Sequence, residues 1–359
     1  MSSQSPLVRS IHWLWPGKPP LANARWVVAT QQSVALAHDF LAELAAHRDR
    51  PLALLLLDEG DYEGPWPWAL LPKLGPARVL LRLKPTSLIF LDDRPPARAL
   101  ARLAPCPVWW INGRSADLLL LGRVTAASAV CATAIGGGFV TGDPCLDGST
   151  WPHVNRDTAF CSRFQSVRLA ARWIIYFAGT CAGEETLAYN TFLNMSARSG
   201  GLLALAPVDE ARHEEVYRES IKYHLLTTRQ RRLITSEVPP KTRVYYIEDP
   251  SARLAMYPCA DLIVVGGTFV DGPVDMLAAL SAGVPVIVGP KRADPLVAAA
   301  VRAGVVMACA DDEELTVKGA ALLSDPLARA RAAQALQDWI ALQPGARARV
   351  VSLLDGDLS

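Results

Sequence analysis

Three glycine-bearing segments in the second half of the chain carry residue types that bring a backbone close to a ligand. They are Gly179-Thr-Cys-Ala-Gly-Glu-Glu185, Gly266-Gly-Thr-Phe-Val-Asp-Gly272 and Gly289-Pro-Lys-Arg292. Glycine permits positive φ and close approach, and the free amides at a helix start attract anions. Thr180, Gly183, Glu184, Gly266, Gly267 and Thr268 are therefore candidates for holding a phosphate or carboxylate. A plainer reading stands beside this one: tight turns want the same glycines, Thr180 or Gly183 suits an N-cap, and Glu184 and Glu185 suit the helix dipole. None of the three segments is a GxGxxG or GxxxxGK[ST] fingerprint. Arg229, Arg231 and Arg232 form a tight basic cluster, open to the same choice between an anion site and a solvated face.

Loops of this kind need strands and helices to hold them, and the hydrophobic pattern supplies both. Short apolar runs alternate with amphipathic segments, the pattern of parallel α/β sheets. Strands are expected at 26–29, 52–57, 87–91 and 107–112, then at 173–178, 202–206, 243–248, 262–266 and 285–288. A helix is expected over 34–47, and residues 325–354 read as helical apart from Pro344-Gly345. Glycine- and proline-rich stretches around residues 136–168 separate two alternating regions. The expected organisation is an N-terminal Rossmann-like domain over 1–150, a linker over 151–171 and a C-terminal Rossmann-like domain over 172–359, its last helix crossing back to the first.

The chain has 359 residues, enough for about two domains of ~150 to 200 residues. With 36 basic and 35 acidic side chains, it lacks the cationic surplus that binding to nucleic acid demands. At 51% hydrophobic it can bury a core rather than remain disordered. No apolar run approaches the ~20 residues of a spanning helix, and no secretory h-region is read at the start. Seven scattered cysteines, never in CxxC spacing, suggest reduced thiols in a cytoplasmic protein; neither they nor the six histidines suggest a metal site. Trp13, Trp15, Trp66 and Trp68 lie in irregular segments, where they could be buried or form an apolar patch facing a partner or membrane.

Taken in order, the segments resemble the 3-deoxy-D-manno-octulosonic acid (Kdo) transferases. Residues 107–115, PVWWINGRS, are similar to that family's PVVLVNARLS, and residues 140–147, VTGDPCLD, to VTGNLKFD. Residues 178–185, AGTCAGEE, resemble ASTHPGEE; residues 257–269, YPCADLIVVGGTF, resemble YAAADVAFVGGSL; and residues 282–290, AGVPVIVGP, resemble LGKPVIVGP. The resemblance implies a GT-B fold, with two Rossmann-like α/β domains facing across a cleft. It also implies sugar transfer from a nucleotide-activated donor, CMP-Kdo in the family, to a lipid A-type acceptor, without metal or cofactor. Thr180, Gly183, Glu184, Gly266, Gly267 and Thr268 would line the donor side, and Gln31, Gln32 and Ser33 the acceptor-side loop.

The polar positions depart from the family. Aligned on Trp26, its catalytic Glu falls on Val34, which cannot accept a proton, and the preceding Gly falls on Ser33. Its first Arg of PRHPER falls on Val208, its GEL segment on Ser251-Ala-Arg253 and the Lys of NLK on Cys145. In GGHNPLE, the His, Asn and Glu fall on Val274, Asp275 and Ala278. Asp92, after the third expected strand, and Asp275 remain as carboxylates that could replace the lost base. Two functions follow. One is a divergent glycosyltransferase, cytoplasmic and peripheral at the inner face of the membrane. The other is a catalytically inert relative that uses the fold to bind a protein partner.

Overall fold

The structure is a computed structural model that describes residues 23–46, 51–71, 80–81, 83–91, 99–101, 103–112, 124–128, 139–149, 151–152, 159–196, 200–234 and 236–355. The chain divides into two compact units: residues 1–149 with 341–359, and residues 150–340. Each holds a seven-stranded sheet in which every pairing is parallel, and each is Rossmann-like, the composition expected of a GT-B fold.

In the first unit the strand order is β3-β2-β1-β4-β5-β6-β7. The strands are β1 (Arg25–Ala29), β2 (Leu52–Leu56), β3 (Trp68–Leu70), β4 (Ser87–Phe90), β5 (Val108–Ile111), β6 (Val124–Ser128) and β7 (Phe139–Val140). The order reverses direction between β1 and β4. Strands β1, β2 and β4 are buried throughout because apolar layers cover both faces. Trp26, Val28, Leu55, Phe90 and Trp110 fill one layer. Val27, Ala29, Leu54 and Ile89 fill the other, with Val34, Phe40 and Leu41. The helix expected over 34–47 is two helices, α1 (Gln31–Leu36) and α2 (His38–Ala46), broken at Ala37.

The end of the chain completes this unit. Helix α12 (Ala346–Asp355) places Val350 and Val351 in the second layer. Asp355 at its end forms an ion pair with Arg25 of β1, both side chains nearly solvent-free. Gln343 accepts from the Asp143 amide at 2.9 Å, and Gly142, at φ 80°, lies so close to the Leu342 carbonyl that a side chain could not fit.

The second unit has the order β10-β11-β9-β8-β12-β13-β14, reversing between β8 and β12. Its strands are β8 (Trp173–Thr180), β9 (Gly201–Pro207), β10 (Thr227–Arg229), β11 (Val244–Tyr246), β12 (Leu262–Val265), β13 (Val286–Val288) and β14 (Met307–Ala308). Helices α5 (Glu184–Ser196) and α10 (Asp312–Ser324) lie over a core of Ile175, Phe177, Tyr189, Phe192, Leu203 and Leu315.

Residues 151–171, expected as a linker, include α3 (Ala159–Ser162) and α4 (Gln165–Leu169), which belong to the second unit. Arg168 bonds the Asp261 carboxylate at 2.5 Å and the Cys259 carbonyl at 2.7 Å, and Phe164 packs edge-on to Tyr245. The expectation of reduced thiols is corrected here: Cys161 and Cys259 form a disulfide. They are 98 positions apart, and only the docking of α3 on the turn at Tyr257–Cys259 brings their Cα atoms to 5.2 Å, within bridging range. Among the described residues no helix is long and apolar enough to cross a membrane, and no group of His, Cys, Asp or Glu could hold a metal ion.

The tryptophans are packed where they are described. Trp66 is buried in the second layer of the first unit and Trp68 pairs through β3 with Leu54. Trp110 is buried on one face of β5 while Trp109 packs on the other. Trp13 and Trp15 lie outside the described residues.

Candidate functional site

In open parallel sheets ligands bind beyond the carboxyl ends of the strands, at the point where the strand order reverses. In the second unit that point lies between β8 and β12, and the three glycine-bearing segments meet there. A side-chain carbon on Gly266 would lie 2.1 Å from the Gly179 carbonyl oxygen, one on Gly272 2.4 Å from the Cys181 sulfur, and one on Gly289 2.3 Å from the Thr268 carbonyl oxygen. Glycine is what lets these loops interlock. Gly267, at φ 70°, turns the chain against Pro273.

The polar side chains at this junction are engaged within the protein. Glu184, the first residue of α5, is buried. Its Oε2 accepts from the amides of Cys181 (2.9 Å) and Gly267 (2.8 Å), and its Oε1 from those of Phe269 (2.9 Å) and Val270 (3.3 Å). A run of amides that could cradle an external anion is thus occupied by the chain's own carboxylate. Thr180 is fully buried and donates to Glu185 Oε1 at 3.1 Å. Thr268 is also fully buried, donating to the Val265 carbonyl and accepting from the Gly289 amide. The side chains of Thr180, Glu184 and Thr268 therefore position loops; what the junction offers outward is the exposed backbone of Ala182 and Gly183. Burial and the neighbouring carboxylates Glu184 and Glu185 raise the Cys181 thiol above its usual range, which keeps it protonated.

Charge is ordered around the same edge. Glu185 accepts two bonds from Arg212, each 2.9 Å, in a bidentate pair that lifts the guanidinium above its usual value. Arg212 comes from the 3-10 turn Glu210–Arg212 that follows β9. Arg229, of the basic cluster, pairs with buried Glu248 and with Glu214 and stacks on Tyr217, while Arg231 and Arg232 are exposed. Arg253 is different. It projects from α7 (Pro250–Met256) to the end of β9, where its Nη1 is 3.3 Å and 3.4 Å from the carbonyls of Pro207 and Val208. Among the described residues no carboxylate forms an ion pair with it. A partly exposed guanidinium at a sheet's carboxyl edge, bonded to carbonyls and within the field of Asp249, can bind a phosphate.

Asp275, singled out as a carboxylate, is exposed and caps α8 (Met276–Ser281), accepting from the Ala278 amide and from the Tyr257 hydroxyl, both at 3.4 Å. Asp92 lies outside the described residues.

In the first unit, β1 runs into Thr30, which N-caps α1 by accepting from the Ser33 amide at 3.2 Å and meets the Ser33 hydroxyl at 2.9 Å. Gln31 and Ser33 are partly exposed and Gln32 is exposed, whereas Val34 points into the apolar layer at 1% exposure. A carboxylate does stand at this loop, from a residue that the sequence did not single out. The register Ala29↔Leu56 brings the end of β2 level with the start of α1, and both oxygens of Asp58 accept from the Gln31 amide, at 3.0 Å and 3.2 Å. Asp58 and Arg253 are the site residues that sequence reasoning missed. The available signal was the end of the apolar run Leu52–Leu56, because a polar residue just past a buried strand lies at the ligand-binding edge.

No protein-family model matches the chain, and no curated protein is significantly similar to it. Solved structures that it resembles include the C-terminal CMP-Kdo binding domain of WaaA from Acinetobacter baumannii. That match has 21% identity and a TM-score of 0.45, over 51% of this chain and 98% of that one. HepE of Anabaena, solved with UDP and glucose, matches at 10% identity and a TM-score of 0.38, over 93% of this chain and 100% of that one. The UDP-GlcNAc 2-epimerase of Neisseria meningitidis, bound to UDP-GlcNAc, matches at 12% identity and a TM-score of 0.36, over 92% and 99%. At these identities and TM-scores the likeness is one of fold alone.

Proposed function

We propose that this protein is a divergent glycosyltransferase of the Kdo-transferase kind, taking a sugar from a nucleotide-activated, CMP-linked donor held by the second unit. The observation that carries the reading is the junction of the β8, β12 and β13 loops at the reversal of strand order, built from the segments that resemble the Kdo transferases. Gly183, at φ 96° with open space around it, and Arg253 are the groups there with capacity left for a nucleotide phosphate. The loop of Gln31, Gln32 and Ser33 in the first unit serves the acceptor, a lipid A-type or other hydroxyl. Such a reaction belongs on the cytoplasmic face of the membrane, and the Cys161–Cys259 pair is the feature that argues for a more oxidising setting.

A second reading, an inert relative that binds a protein partner, is favoured by one set of observations. Val34 and Ala278, at the family's two carboxylate positions, are both buried in apolar packing, and Glu184 fills the amide run. A thermal-shift panel of CMP, UDP and their sugar conjugates separates the two. A nucleotide at about 100 times its Kd adds about 2.7 kcal/mol to stability. Stabilisation by one nucleotide class supports the transferase, and indifference to all of them supports the inert reading.

A further inference from the structure

The Cys161–Cys259 pair sits at odds with the cytoplasmic setting of the transferase reading, on which this inference rests. A disulfide in a reducing compartment is usually transient, catalytic or redox-sensing rather than structural. Nor does the second unit need a staple, because a seven-stranded sheet and its buried apolar core hold it. We propose that the pair is a redox-responsive site, exchanging with an external dithiol, whose opening releases α3 and loosens the nucleotide-binding edge through α7. The two cysteines are unequally placed. Cys161 is partly exposed on α3, and Cys259 is 4% exposed in the turn Tyr257–Cys259. An external thiolate therefore attacks the Cys161 sulfur, and Cys259 leaves and takes up a proton. The second thiol of the same dithiol then displaces Cys161, so two electrons enter the protein and the reductant departs as a disulfide. Glutathione disulfide runs the sequence backwards, yielding two reduced glutathiones.

The packing around the bond divides into a part that opening frees and a part that it leaves rooted. Helix α3 is four residues long with none of them buried, too short to be stable without support. Phe160 leans on Tyr245, ring centroids 6.4 Å apart, a contact far weaker than the covalent tie. Helix α4 is anchored independently. Its Val167 is fully buried, the Ser166 hydroxyl donates to the Val238 carbonyl at 2.8 Å, and Arg168 reaches Asp261. Cys259 is also prepared for the reduced state, since the Ala255 carbonyl lies 3.2 Å from its sulfur and can accept from the thiol. The turn of Cys259 continues α7 without a break, and α3 packs against both. Arg253, on that helix, reaches the end of β9 through two long bonds, 3.3 Å and 3.4 Å. Removing α3 from the flank of α7 therefore loosens the phosphate-binding group while the sheet beneath stays folded.

The test compares the full chain oxidised, reduced with dithiothreitol, and as Cys161→Ser. Dithiothreitol opens the pair in the folded protein and glutathione disulfide closes it again, as read by alkylation and mass. Hydrogen exchange rises on reduction in residues 159–162 and 250–259, while the central strands β8 and β12 keep their protection. Cys161→Ser shows the same pattern without reductant, and dithiothreitol changes it no further, which excludes an effect at Cys106, Cys145, Cys181 or Cys309. CMP, titrated into each form, binds the oxidised protein about fivefold more tightly than the reduced one. Three results overturn the proposal: a pair that is reduced only in denaturant, exchange that does not change on reduction, or protection lost throughout the second unit, which marks a structural cross-link. Equal CMP affinity in the two forms overturns it as well, while leaving the nucleotide site standing. CMP binding by neither form defeats the transferase reading and the coupling with it, and the exchange pattern still decides the release of α3.

Discussion

Replacing Glu184 with alanine tests whether its carboxylate holds the glycine junction together by standing in for an anion. Three of its four contacts are 2.8–2.9 Å, from the Cys181, Gly267 and Phe269 amides. Charge-assisted bonds of this sort are each worth about 1.5 kcal/mol or more, so their joint loss comes to about 4.5 kcal/mol. Gly267 is buried and has no other recourse, whereas water can reach Cys181 and Phe269, which are only partly buried. That recovery brings the expected loss to about 3–4 kcal/mol. Denaturant titration reads it directly. Glutamine is no substitute, because each carboxylate oxygen takes two amides and an NH2 group in either place would face donors. The vacated amides should then accept an external anion: formate, acetate or phosphate should raise the melting temperature of Glu184→Ala more than that of the wild type. A loss below about 1 kcal/mol, the cost of an ordinary surface change, would refute the reasoning. So would a variant stabilised no more than wild type by these anions.

Three further outcomes follow from the same geometry. Asp355→Ala leaves the Arg25 guanidinium charged and buried at the start of β1, and should cost about 3–5 kcal/mol in chemical denaturation; an unchanged midpoint would show that α12 is not anchored there. Cys161 and Cys259 should resist alkylation until a reductant is added, and reduction should remove up to about 4.7 kcal/mol, the entropic value for a loop of about 100 residues; labelling of both without reductant would contradict the pairing. Burial lowers His213 below its ordinary value, outweighing Glu248 and Glu210, while Arg231 and Arg253 push the same way as burial. The unfolded chain then binds a proton that the folded chain refuses, so stability should fall as pH drops below about 6.5, and the fall should be shallower in His213→Gln.

The sheets were legible because a parallel strand covered on both faces must be a continuous apolar run, as at Leu52–Leu56, Trp173–Ala178 and Leu202–Ala206. Strands at sheet edges were not. Trp68–Leu70 is three residues long amid prolines, Thr227–Arg229 is polar, and β7 and β14 have two residues each. In each the pairing partner, not the residue's own pattern, makes the strand. The glycine loops could be located from sequence because close approach demands glycine, but what fills them could not. Glu184 reaches Gly267 across 83 positions through the adjacency of β8 and β12. Asp58 reaches Gln31 only through the β1–β2 register, and the Cys161–Cys259 pair depends on the docking of α3. Contacts made by topology leave no local trace in the chain.

The central claim, that the second unit holds a nucleotide-activated donor, is tested most directly by an equilibrium titration of CMP into wild-type protein and into Arg253→Ala. The account predicts saturable one-to-one binding by the wild type. It predicts binding weaker by about tenfold or more in the variant, the equivalent of one lost charge-assisted phosphate contact. CMP binding that is equally tight in both would move the phosphate away from Arg253, and no heat of binding from CMP, UDP or their sugar conjugates would contradict the claim outright.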